Sequence, residues 1–155
     1  MQTTAHRTVR NDPHVNTVLL SVKPQFARRL LSGHKTAEVR RRFPTLAHGT
    51  AVYLYASSPL RAIIGVLHIE AVRTGAPEVL WPRYGDQLDI TEEYFLEYLG
   101  DRGTASVVEL RVDERWDRPV SLESMREFAA LEPPQSYRYL SADQQDILRS
   151  LSRAI

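Results

Sequence analysis

Apolar residues recur along this chain with two periods, and the switches between them mark out its elements. Thr17 to Val22 (TVLLSV) is a continuous β-branched and apolar run, which predicts a buried strand. Lys23-Pro24 follows, and proline suits the first turn of a helix. Phe26, Ala27, Leu30 and Leu31 then line one helical face with Arg28 and Arg29 outside it, and Gly33 is placed to stop the helix. Thr36 to Arg42 alternates as a second strand. His48-Gly49 turns the chain into a third at Ala51 to Tyr55 (AVYLY), and Ser57-Ser58-Pro59 makes a polar corner.

Ala62 to Val72 (AIIGVLHIEAV) is the strongest strand pattern, and Gly65 inside it predicts a bulge or barrel bend. Glu78 to Arg83 reads as a short turn of helix. Thr91 is an N-cap for a helix over Glu92 to Leu99 that ends at Gly100. Ala105 to Val112 (ASVVELRV) is a further strand, with a short one expected near Pro119-Val120. Leu122, Met125 and Phe128 mark a short helix, Pro133-Pro134 break the chain, and Ser141 caps a last helix with Ile147, Leu148 and Leu151 on one face. The sum is an α+β fold: a small mixed β-barrel of five or six strands with short helices around it. Strand order does not follow from the pattern.

Composition narrows the class. The 155 residues fit a single domain, and 43% hydrophobic with 25% charged residues supports an ordinary core. The absence of cysteine excludes disulfides, thiolate metal sites and a cysteine nucleophile. No apolar run reaches the roughly 18 residues a membrane span needs, so no membrane partner is expected. Residues 1–16 are polar, contain Arg7, Arg10 and Pro13, and lack the apolar centre of a secretory leader. They read as a mobile N-terminal arm ahead of one domain over 17–155, in a cytoplasmic protein.

The net charge of +1 names no partner, but its distribution does. Between Lys23 and Arg42 lie Lys23, Arg28, Arg29, Lys35, Arg40, Arg41 and Arg42 against the single acid Glu38. Between Asp86 and Glu97 there are five acids and no base. One region attracts polyanions and another repels them.

Chemistry has two candidate places. In a strand beginning near Thr36, the residues Thr36, Glu38 and Arg40 share one face while Ala37 and Val39 enter the core. That forms a polar cleft in which Lys35 and Arg40 hold a phosphate or carbonyl oxygen and Glu38 accepts from a donor. The plainer reading is a solvated face with weak ion pairs. Ser57 and Ser58 offer hydroxyls to a ligand, or simply satisfy their turn.

Trp81, Tyr84, Tyr137 and Tyr139 are candidates for base stacking, or for packing at the barrel end and C-terminal arm. The five histidines show no metal-ligand spacing, and His68 with Glu70 gives only two ligands on one strand face. No metal or cofactor is expected.

Gly33-His34-Lys35 with Arg40 matches the G-x-K-x-x-x-x-R signature of the ASCH domain, a PUA-like β-barrel family. The segments LLSVKPQFARRLLSGHKTAEVRRR, VYLYASSPLRAIIG and PPQSYRYL resemble, in the same order, a small bacterial and archaeal branch of that family, from Thr17 to Leu140. The resemblance implies a cleft beside the first helix, RNA or a nucleotide-like ligand as partner, and a regulatory role. Lys23, Lys35, Glu38, Arg40, Arg41, Ser57 and Ser58 are then the candidate binding residues.

A second branch of ASCH proteins removes the acetyl group from N4-acetylcytidine. These relatives use the signature lysine, a threonine three residues later and a glutamate from a later loop. Lys35 matches the lysine, Glu38 stands at the threonine position, and Asp86 is the nearest acid for the third. A hydrolase of that kind, using Lys35, Glu38 and Asp86, is the alternative to binding. Ribonuclease activity has also been associated with the family.

Overall fold

The computed structural model describes residues 16–153, and most of the N-terminal arm expected over 1–16 lies outside them. The elements are β1 (Val18–Val22), α1 (Pro24–Ser32), β2 (Ala37–Arg40), β3 (Ala51–Ala56), β4 (Ala62–Gly75), α2 (Pro77–Leu88), α3 (Glu92–Leu99), β5 (Ala105–Ser121), α4 (Leu122–Ala129), β6 (Tyr137–Tyr139) and α5 (Ala142–Arg153). The six strands form one mixed sheet in the order β2-β5-β4-β3-β1-β6, curled into a half-barrel. β1 runs parallel to β3 because α1 and β2 intervene between them; every other pairing is antiparallel.

Period-2 alternation sorts the core. Val18, Leu20 and Val22 of β1 join Val52, Leu54 and Ala56 of β3 and the buried face of α1 in one cluster. Leu19, Tyr53, Ile63 and Val66 point the other way, against Met125 of α4 and Leu148 of α5. Ala37, Val39 and Val107 are covered by Leu80 and Leu88 of α2 and by Phe95 and Leu99 of α3. β2 thus gives its two small apolar residues to one face, which leaves Glu38 and Arg40 on the opposite face.

Capping follows the sequence closely. The Thr91 hydroxyl accepts from the Tyr94 amide, and Ser141 and Gln144 cap each other's backbone amides at the start of α5. Gly33 ends α1 with a φ of 87°.

Four elements differ from expectation. α2 is twelve residues long rather than a short turn, carrying Pro82 inside it. The proline forfeits one backbone hydrogen bond, but Leu80 and Leu88 bury against the sheet. β2 stops at Arg40, two residues early. β5 continues unbroken to Ser121; its polar stretch from Arg111 to Arg118 alternates between half-buried and exposed positions along β4 and therefore hides its strand character. The loop-like YRY segment is the edge strand β6, paired with β1.

Gly65 lies between register shifts in the β4–β5 ladder, where the strands bend together. A Cβ at this position would sit 2.4 Å from the Glu114 carbonyl oxygen and 2.8 Å from Leu31 Cδ1. Gly65→Ala is therefore expected to destabilise the fold by about 1–3 kcal/mol. A thermal melt should read this as a fall in Tm of roughly 3–10 °C; an unchanged Tm would show that the approach of β5 and α1 to Gly65 is not tight.

Candidate nucleic-acid interface

The opening between the two edges of the sheet is a cavity of about 840 Å³. α1 supplies Phe26, and the turn before it supplies Lys23. β2 and its continuation supply Glu38, Arg40, Arg41 and Arg42, and the corner after β3 supplies Ser57, Ser58 and Arg61. Tyr94 and Tyr98 come from α3, and Pro133 to Ser136 from the segment before β6.

At its floor is a desolvated ion cluster. Lys35 is 1% exposed, Glu38 8% and Arg40 8%. The Lys35 ammonium donates to the Leu88 carbonyl at the end of α2 and lies 3.3 Å from Glu38 Oε1. Arg40 Nη2 donates to Glu38 Oε2 at 2.8 Å. The plainer expectation of a solvated strand face does not hold, because α2 and α3 cover β2 on one side and the opposite sheet edge closes on the other.

Burial pushes the Lys35 ammonium below its ordinary range, and the Glu38 carboxylate opposes that push. The cluster carries one more positive charge than negative, in a place where unbalanced charge is costly.

Arg40 also reaches across the mouth of the half-barrel. Its guanidinium donates to the Ser21 carbonyl of β1 at 2.7 Å and to the Ser136 hydroxyl at 3.4 Å. Beside it Phe43 packs on Tyr137 at 5.2 Å between ring centroids.

Of the residues expected from sequence, Lys23, Lys35, Glu38, Arg40, Arg41, Ser57 and Ser58 all border this cavity. Arg41 is less free than expected: its guanidinium stacks on the Tyr98 ring at 4.4 Å and donates twice to the Tyr98 carbonyl. Asp86 does not join Lys35 and Glu38. It is exposed on α2 and borders a separate, shallower hollow with Arg29 and Asp89.

The aromatic candidates also divide. Trp81 packs on Phe95 at 5.0 Å and, with Tyr84, covers the α2–α3 core instead of a barrel end. Tyr137 packs inward, next to Tyr139. Sequence reasoning missed Phe26, Tyr55, Arg61, Tyr94, Tyr98 and Ser136 as cavity residues. Phe26, Tyr55, Arg61 and Ser136 stand inside the segments that carried the family resemblance; Tyr94 and Tyr98 had no signal beyond helix periodicity. Burial pushes the Tyr55 phenol upward, so it stays protonated at neutral pH.

The comparisons with known proteins agree with this fold. The family described as a domain of unknown function (DUF365) matches residues 15–130. An ASCH domain-containing ribonuclease from Zymomonas mobilis is 33% identical over 144 residues, 92% of this chain and 97% of that protein. The chain belongs to the ASCH domain family.

The crystal structure of ASCH from Zymomonas mobilis superimposes with a TM-score of 0.82, covering 90% of this chain and 96% of that one. A Pseudomonas syringae protein with the same fold is 18% identical at a TM-score of 0.63, with coverage of 88% and 99%. Among the described residues, no helix of this ASCH protein is long and apolar enough to cross a membrane.

The Lys35 environment sets a pH dependence. Its folded-state pKa lies below the ordinary 10.5, so between the two values the unfolded chain holds more protons and stability rises with pH. Urea melts from about pH 8 to about pH 10.5 should show that rise in the wild type and its loss in Lys35→Met. A parallel response in both proteins would mean that Lys35 is not desolvated.

Proposed function

We propose that this ASCH protein is a ribonuclease that binds single-stranded RNA in the cationic cavity. The observation that carries the reading is the charge of the walls: Lys23, Lys35, Arg40, Arg41, Arg42 and Arg61 face a single carboxylate, Glu38. Such a surface recruits phosphates, and the volume suits a nucleotide. Phe26, Tyr94 and Tyr98 add rings on which bases stack irrespective of sequence. The ribonuclease description of the Zymomonas relative supports cleavage as the outcome of binding.

In such a cleavage the ribose 2′-oxygen bonds to phosphorus as the bond to the 5′-oxygen breaks. Glu38 is the one carboxylate in the cavity to accept the 2′ proton, and the protonated Tyr55 phenol is a donor for the leaving oxygen. The surrounding cations stabilise the charge that gathers on the phosphoryl oxygens.

Incubation with end-labelled single-stranded RNA should give shorter fragments, and Glu38→Gln should give them more slowly by about 10²-fold or more. Intact RNA with the wild type would overturn cleavage while leaving binding open to its own test. Affinity should fall linearly in log–log form with salt. Arg42→Ala together with Arg61→Ala should flatten the slope by about 1.4, near 0.7 per phosphate contact. A salt-independent affinity would overturn the cavity as a phosphate site.

One observation favours a second reading, hydrolysis of an acylated nucleoside: the desolvated Lys35 amine gives up its proton more readily than a surface lysine. Mass-spectrometric turnover of N4-acetylcytidine by wild type and not by Lys35→Ala would support it; no turnover would remove it.

A further inference from the structure

Beside the cationic cavity lies a second hollow of about 530 Å³, bordered by Phe26, Arg29, Asp86, Asp89, Ile90 and Tyr94 among others. The two spaces share Phe26, Ile90 and Tyr94. Phe26 and Tyr94 meet edge to face at 5.6 Å, and Tyr94 remains 37% exposed. The shared wall is therefore an aromatic ridge with an open ring on it. Lys23 sits over the Tyr94 ring at 5.9 Å and borders only the cationic cavity. Cations crowd one side of the ridge, while the other holds Asp86, Asp89 and the single base Arg29, which lies 3.7 Å from Asp89.

We propose that this hollow is a second base subsite: RNA seated in the cationic cavity crosses the ridge and stacks its neighbouring base on Tyr94. The inference rests on the RNA reading of the cavity and extends it by one nucleotide. Three physical points favour a base over other occupants. The hollow adjoins the cavity across the ridge, so a strand seated in the cavity has it as the neighbouring space. An exposed tyrosine at a strand crossing is a stacking platform. The carboxylates repel a phosphate yet accept from base N–H groups, as Asp and Glu do from cytosine in groove recognition.

Among the described residues Asp86 has no ion-pair partner, whereas Asp89 is engaged by Arg29. Asp86 is thus the free acceptor, and guanine, with N1–H and N2–H on one edge, is the base best matched to a single carboxylate.

The test uses the full chain and non-cleavable ligands: 2′-O-methyl GpG against 2′-O-methyl guanosine monophosphate, measured by calorimetry. The wild type should bind the dinucleotide about tenfold or more tightly than the mononucleotide, the gain expected from one stacked base. Tyr94→Ala should collapse that ratio toward one, while Tyr94→Phe retains it. Asp86→Asn should reduce the gain for GpG more than that for UpU.

A wild-type ratio near one, or a ratio unchanged in Tyr94→Ala, overturns the second subsite and leaves the cavity reading standing. Failure of both ligands and of longer RNA to bind overturns the cavity reading and this inference together.

Discussion

The site depends on one side chain reaching across a gap. A six-stranded sheet that curls without closing leaves two edges, β2 and β6, whose backbones do not pair. Arg40 spans that gap, from β2 to the Ser21 carbonyl on β1 and to Ser136 at the entry to β6, while holding Glu38 on its own strand. A guanidinium suits this task because its planar fork serves several acceptors at once. Lysine would offer a compact charge without the fixed geometry. Closing the barrel through a side chain instead of a ladder also leaves the opening that becomes the cavity.

That closure places charge where water is scarce. Lys35 and Arg40 share the Glu38 carboxylate, one at each oxygen, and the cluster is left with a positive excess. Buried ion clusters of this kind contribute little to stability for the desolvation they require. Their value is geometric: Lys35 ties β2 to the end of α2, and Arg40 ties β2 to the far edge. Arg41, Arg42, Lys23 and Arg61 then extend the positive field toward solvent.

Much of the frame was legible in the sequence. Unbroken β-branched runs announced β1, β3 and the first half of β4, and Thr91, Ser141 and Gly33 marked helix ends by capping chemistry. The lysine, glutamate and arginine of the cavity floor were legible as candidates because their spacing on β2 puts Glu38 and Arg40 on one face. Their burial was not legible, since it depends on α2 and on the approach of β6, two elements the sequence conceals. Pro82 masked α2, and the polar run after Leu110 masked the length of β5. Ser136 and the rings of α3 enter the cavity through long-range closure, which no local pattern encodes. Asp86 shows the converse error: it is close to the cavity in sequence order, but its side of α2 belongs to a different hollow.

The parallel pairing of β1 with β3 and the antiparallel pairing of β1 with β6 draw the cavity walls from both ends of the chain. Ser21, Arg40, Arg61, Tyr94 and Ser136 are spread over more than a hundred residues, and the last wall segment comes just before β6. During synthesis most of the cationic residues emerge well before the segment that completes their enclosure. A ribosome-bound chain therefore carries the basic strand without a finished cavity, although it is surrounded by RNA. The topology delays assembly of the site until Ser136 and β6 have been made.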